Sequence, residues 1–221
     1  MSTNVNEDMA FLVQEDTAFL SKNMITAWEV GKTFSSDWAA AHFFTWSELL
    51  HGLRDKPVRI LEIGSWEGRS ALFFLNFLPR SRIVCVDTFG GNVEHHADDH
   101  FAKLALKSEA QFDANLVAHS DRVEKFVGSS ATVLPELGIA GRRFDLAYID
   151  GSHMAADVYR DAALTWPMMQ RGGIVMFDDY EWDHMAKDAE RPKVGVDAFL
   201  AAVDGQFREI HRDYQLIIGK L

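Results

Sequence analysis

The chain has one cysteine, Cys85, which excludes an intramolecular disulfide and every multi-cysteine metal site. Cys85 falls in the apolar run Ile83–Val86, where a buried strand residue is expected rather than a nucleophile. No apolar run reaches the roughly 18 residues that a membrane helix needs. The start, Met1 to Asp8, is polar and acidic, without the basic, then apolar, layout of a signal peptide. Positive charge is scarce: 22 Lys and Arg stand against 33 Asp and Glu, a net charge of -11. Such a surface repels phosphate backbones and anionic lipid, so neither a nucleic acid nor a membrane is the expected partner. A small-molecule substrate and a cytoplasmic location are expected instead. Internal repeats, low-complexity tracts and Pro/Gly/Ser linkers are also missing.

What is present suits one globular unit of 221 residues, 48% hydrophobic and 25% charged. Residues 1–55 read as a helical lid or extension. Phe11, Leu12, Phe19 and Leu20, then Trp38, His42, Phe43, Trp46 and Leu49–Leu50, recur at helical spacing. These are core candidates, with Trp38 and Phe34 the ones that alternatively line a pocket. The N-terminal helices are also the candidate interface for a homo-oligomer.

Residues 56–221 alternate short apolar strands with helices. Strands are expected at Val58–Ile63, Arg82–Val86, Val123–Val127, Phe144–Ile149, Ile174–Phe177, Phe207–Arg212 and Gln215–Ile218. Helices are expected at Gly68–Leu78, Phe101–Val117, Ala131–Leu137, His153–Met169 and Val194–Val203. Continuous apolar strands separated by helices indicate a parallel sheet covered on both faces. The short Asp213–Tyr214 link makes the last two strands an antiparallel hairpin. The fold class is therefore α/β, a doubly wound, mostly parallel, seven-stranded sheet. Ligands of such sheets bind beyond the carboxyl ends of the strands.

The first strand ends as LEIGSWEGRS, supplying Glu62, Gly64, Ser65, Trp66, Gly68 and Ser70. A glycine turn feeding a helix lets backbone approach a ligand, with free N–H groups at the helix start. The spacing E-x-G-x-x-x-G is not the G-x-G-x-x-G dinucleotide fingerprint. An acid there sits poorly beside a pyrophosphate and better beside the cationic amino-acid end of a sulfonium cofactor. The second strand ends in Asp87, nineteen residues after Gly68, where a carboxylate can accept both hydrogens of a ribose diol. The third ends as VGSS, offering Ser129 and Ser130 to an adenine edge.

EIGSWEGRS, VDTF, YIDGSH and FDDY together resemble class I S-adenosylmethionine-dependent methyltransferases, in particular methyltransferase family 24. That group is similar in its site to catechol and macrolide-sugar O-methyltransferases, and the resemblance runs from about Val58 to Tyr180. It implies a Rossmann-like class I fold and S-adenosylmethionine as cofactor. It further implies that Glu62 and the Gly64–Gly68 turn hold the methionine part, Asp87 with Thr88 the ribose, and Ser130 the adenine region. Trp66 and Phe89 would flank the cofactor, with Asp150 at its reactive end.

The fourth and fifth strands end in IDGSH and FDDY, bringing Asp150, Asp178 and Asp179 to adjacent ends. Three gathered carboxylates repel one another unless a cation or proton intervenes, and hard oxygen ligands suit Mg²⁺, with Mn²⁺ or Ca²⁺ as alternatives. Turn and helix-cap acids are the other reading. The 28-residue separation of Asp150 and Asp178 matches the metal-binding acids of the catechol type. His153 stands where the resemblance implies the catalytic base, and an imidazole beside an activated hydroxyl can take its proton. Asp157 is the candidate to orient that ring, and a helix-start histidine with no role is the alternative. The expected activity is O-methylation of a small-molecule hydroxyl, assisted by Mg²⁺. A metal-independent methyltransferase acting on O or N, an NAD or nucleotide-sugar enzyme, and a non-catalytic protein retaining the fold are the rivals. The His-rich segment 90–100 is read as a mobile loop, with a lid or a second metal site as further readings, and Glu181–Lys193 as a border of the substrate pocket.

Overall fold

The computed structural model describes residues 16–91, 99–185 and 187–221. Seven strands form one sheet: β1 (Arg59–Ile63), β2 (Arg82–Asp87), β3 (Val123–Val127), β4 (Phe144–Ile149), β5 (Met169–Phe177), β6 (Phe207–Arg212) and β7 (Leu216–Lys220). Their order across the sheet is β3-β2-β1-β4-β5-β7-β6. β1 through β5 pair in parallel, and β7 is antiparallel to both β5 and β6. The doubly wound, mostly parallel α/β sheet with a reversed strand next to its edge is thus present as expected.

Side chains alternate between the two faces of each strand, and each face is covered. On one face Ile60, Ile83, Leu146 and Tyr148 pack with α2 (Phe43–Leu50), α3 (Arg69–Phe77) and the end of α4 (Asp99–Leu116). On the other, Leu61, Val84, Ala147 and Val175 meet α5 (Ser130–Ile139), α6 (Ala155–Thr165) and α7 (Pro192–Ala202). Cys85 lies buried in β2. Among the described residues no helix is long and apolar enough to cross a membrane.

The N-terminal segment gives α1 (Lys22–Glu29), a 3₁₀ turn at Ala40–His42 and α2. Phe19–Leu20 precede α1 and Trp38 sits in the turn before the 3₁₀ piece, so the helical reading there was too broad; Phe11 and Leu12 lie outside the described residues. α2 sends Trp46 fully into the main core, against Phe73, Phe74 and Tyr148. Arg69 of α3 holds Glu29 at 2.7 Å and also pairs with Asp37, tying the segment to the glycine turn.

Two further elements have a boundary that differs by more than two residues. β5 starts five residues earlier than expected, because Gly172, at φ +76°, and Gly173 absorb a register shift against β4. The helix expected from His153 begins at Ala155, with Met154 extended, and closes at Thr165 where Pro167 enters a 3₁₀ turn. His153 therefore stands in the loop after β4 rather than on the helix.

Candidate active site

Backbone ladders continue past the strand ends and fix the loops there. Gly64 N–H donates to Val86 O at 2.9 Å, Asp150 N–H to Ile63 O at 2.8 Å, and Asp178 N–H to Ile149 O at 3.0 Å. Gly64 takes φ +84°, and a Cβ on it would stand 1.8 Å from the Asp150 carbonyl oxygen. Only glycine permits that contact, which presses the turn after β1 against the loop after β4. Gly68, at φ +79°, starts α3, and a Cβ there would crowd Phe112 and Leu116 of α4.

Asp87 binds this turn directly. One of its oxygens accepts the N–H groups of Ser65 (2.6 Å) and Trp66 (2.8 Å), and the other accepts Phe89 N–H (2.7 Å). Trp66 and Phe89 both take positive φ, at 46° and 51°, strained backbone of the kind that gathers at ligand sites. The ring of Trp66 lies 5.9 Å from Trp38. Thr88 Oγ1 accepts Gly90 N–H at 3.1 Å.

Glu62, expected to meet a cofactor amino group, is fully buried. Its oxygens accept Ser65 Oγ–H (2.5 Å), Ser70 Oγ–H (2.7 Å) and the Cys85 thiol (3.4 Å). Burial outweighs these bonds and pushes its carboxyl up to about 7. Ser129 caps α5 through Ala131 N–H at 3.3 Å, while Ser130 Oγ–H donates to Asp161 at 2.7 Å. Burial raises Asp161 to about 6.

The acids meet as their strand ends require. Tyr148 O–H lies 3.1 Å from Asp150 and also donates to Asp178 in a short contact. Asp178 accepts Gln215 Nε2–H at 2.8 Å, and Asp179, at φ +55°, accepts Tyr214 O–H at 2.6 Å. His153 Nε2 stands 2.8 Å from the second Asp179 oxygen. Burial and then the charges of Asp178 and Asp179 drive Asp150 well above the usual carboxylate range, and burial with Asp179 raises Asp178. Burial pushes Asp179 up as well, but the bond and charge of His153 hold it below its ordinary value. Among the described residues, Asp150, His153 and Asp179 offer ligand atoms all within 4.8 Å of one another. Half-buried, mutually repelling oxygen donors beside an imidazole are a donor set that fits a divalent cation.

A family model described as "Methyltransferase domain", methyltransferase family 24, matches residues 61–180, which hold the glycine turn and all three acids. The chain belongs to that family. This family member is 26% identical over 155 residues to the mycinamicin VI 2''-O-methyltransferase of Micromonospora griseorubida, covering 66% of the chain and 33% of that protein. In fold it is similar to the MycE methyltransferase solved with Mg, SAH and mycinamycin VI. The TM-score is 0.60 at 20% identity, over 90% of this chain and 53% of that one. An O-methyltransferase from Bacillus cereus in complex with SAH gives TM-score 0.56 at 17% identity, over 95% and 93% of the two chains. The chain thus spans a third to a half of the length of the mycinamicin-pathway relatives it matches.

Within this methyltransferase-family chain, the structure brings Glu62, Gly64, Ser65, Trp66, Ser70, Asp87 and Phe89 into one turn-centred network. It joins Asp150, His153, Asp178 and Asp179 into another. Ser129 and Ser130 sit apart from both, at the start of α5. Asp157 does not hold the His153 ring; it accepts Ser152 Oγ–H at 2.9 Å and pairs with Arg160, while Asp179 bonds the imidazole. The sequence reading missed Tyr148, Tyr214, Gln215 and His42. Tyr148 lies two residues before Asp150, on the same strand face, which was a usable signal. His42 stacks on Tyr214 at 5.7 Å, where it opposes the rise of Asp178 and adds to the lowering of Asp179. From Glu181–Lys193, Trp182 stands 4.6 Å from the His153 ring. In the His-rich segment, residues 92–98 lie outside the described residues.

Proposed function

We propose that this chain transfers the methyl group of S-adenosylmethionine to a hydroxyl oxygen of a small molecule. The observation that carries the reading is the contact of Gly64 with Asp150: the glycine turn and the acid–histidine cluster meet at neighbouring strand ends. Methyl donor and acceptor must stand in line within van der Waals reach, and positioning of this kind supplies much of the rate. The Gly64–Gly68 turn, where the backbone lacks a Cβ at Gly64 and Gly68, and Ser65 would receive the methionine part, with Asp87 and Thr88 toward the ribose. Ser129 and Ser130 would lie toward the adenine, and Trp66 and Phe89 along the cofactor. Glu62 acts through Ser65 and Ser70, as a positioning residue.

Asp150, Asp178 and Asp179 would hold a divalent cation, Mg²⁺ by preference. When bound, that ion supplies positive charge that acidifies an acceptor hydroxyl. The His153 imidazole receives the acceptor proton on the ring nitrogen turned away from Asp179, and Asp179, bonded to Nε2, stabilises the imidazolium that forms. Trp182 shields the ring from water and borders the acceptor. A second reading is favoured by the close grouping of ligand atoms: His153 replaces Asp178 as the third metal ligand.

Sugar hydroxyls are the acceptor class proposed first, since the mycinamicin relative is a 2''-O-methyltransferase; phenols are the alternative class. Calorimetry with S-adenosylmethionine, with and without Mg²⁺, tests the core of the reading; absence of cofactor binding would end it. Metal titration of Asp178→Asn and His153→Ala then separates the two ligand sets, because only the true ligand's loss weakens the ion.

A further inference from the structure

At the edge of the sheet opposite the acids, the amino ends of β1 to β4 line an open-sided cavity of about 500 Å³. Arg59, Arg82, Arg122, Arg142 and Arg143 line it, against the two acids Asp121 and Glu124. In a chain of net charge -11 such a gathering of guanidinium groups needs a cause. Structure accounts for three. Arg59 forks onto Asp145 at 3.0 and 2.9 Å, Arg142 pairs with Glu124, and Arg122 donates to the carbonyls of Leu75, Pro79 and Ser81.

Arg82 and Arg143 are different. Each donates to a single main-chain carbonyl, Asp121 O and Arg142 O, both at 2.8 Å. Among the described residues neither forms an ion pair, and both are exposed. Lys220 lies near enough that, after burial, the charge of Arg143 lowers its ammonium below the ordinary value. Uncompensated positive charge therefore faces this cavity.

We propose that the cavity binds a small polyphosphate-bearing anion. The volume suits a small molecule. Guanidinium forks match phosphoryl oxygens, whereas the chain's overall negative charge disfavours a long polynucleotide. The site is remote from the glycine turn and does not depend on the methyltransferase reading.

Calorimetry at constant ionic strength, with chelator present and inorganic tripolyphosphate as probe, tests it. Wild-type protein is expected to bind with a Kd of about 100 µM or tighter. Arg82→Gln/Arg143→Gln is expected to weaken that about tenfold or more, the loss of at least one charge-assisted bond. Arg143→Lys, which keeps the charge but not the fork, should lose less affinity than Arg143→Gln. A nucleoside triphosphate run alongside distinguishes a nucleotide source, which requires the same dependence on Arg82 and Arg143. No binding by the wild type, or binding indifferent to the double substitution, overturns the proposal. If Arg82→Gln unfolds, Arg143→Gln alone carries the comparison, with the circular dichroism spectrum confirming its fold.

Discussion

His153 Nε2 lies 2.8 Å from an Asp179 oxygen, with 16% and 15% of the two side chains exposed, and the pair bridges the loops after β4 and β5. If the imidazole is the base, His153→Ala lowers turnover by about 10²- to 10⁴-fold. Affinity for S-adenosylhomocysteine, measured by calorimetry, stays as in the wild type. Undiminished turnover would remove His153 from the chemistry.

The acid cluster predicts a pH-dependent cation site. Asp150 is held well above the usual carboxylate range and Asp178 is raised from its ordinary value, and only ionised carboxylates ligate well. Mn²⁺ affinity should therefore rise with pH above that range. Asp150→Asn should weaken it by about tenfold or more, as the loss of a ligand or its support does. Titration of both proteins at several pH values checks this, and equal affinities would exclude Asp150 as a ligand.

Glu62 links stability to pH. Its folded carboxyl sits at about 7, above the ordinary 4.5. Stability from this group is fully present below 4.5 and is lost as pH rises through 7, because the unfolded chain ionises first. The loss is on the order of 3 kcal/mol. Denaturant melts at pH 5 and 8 should show a smaller fall in Glu62→Gln than in wild type. Parallel curves would mean that Glu62 is ionised throughout.

Gly64→Ala places a methyl inside the Asp150 carbonyl and forces a side chain onto φ +84°. A cost of at least about 3 kcal/mol is expected, seen as a fall in Tm of about 6 °C or more. Gly31→Ala, also at positive φ but with open space around it, is the control and should fall much less.

Much of this was written in local sequence. The continuous apolar strands specified a covered parallel sheet, and Asp213–Tyr214 its final reversal. Gly64, Asp87, Asp150, Asp178 and Asp179 announced themselves by standing at strand ends. The partners did not, because they arrive through tertiary packing. Tyr148 reads as one more apolar residue of β4, His42 as part of a helical stripe, and Gln215 as the start of a strand. Glu62 was legible as a site residue but its burial was not, since burial depends on Ser65, Ser70 and Cys85 converging from three elements. The start of β5 was hidden for a related reason: Gly172–Gly173 reads as a turn, yet the ladder with β4 tolerates a bulge.

Because β7 runs against β5, the tip of the last hairpin returns to the carboxyl edge and delivers Tyr214 to Asp179 and Gln215 to Asp178. Gln215 also accepts Trp46 Nε1–H at 2.7 Å, so the tip clasps α2 as well. Exchange of the 213–215 segment with that of a relative would therefore retune the acids without altering any of them. Lengthening it by one residue would throw both contacts out of step, which makes this short tip an economical target for grafting and laboratory evolution.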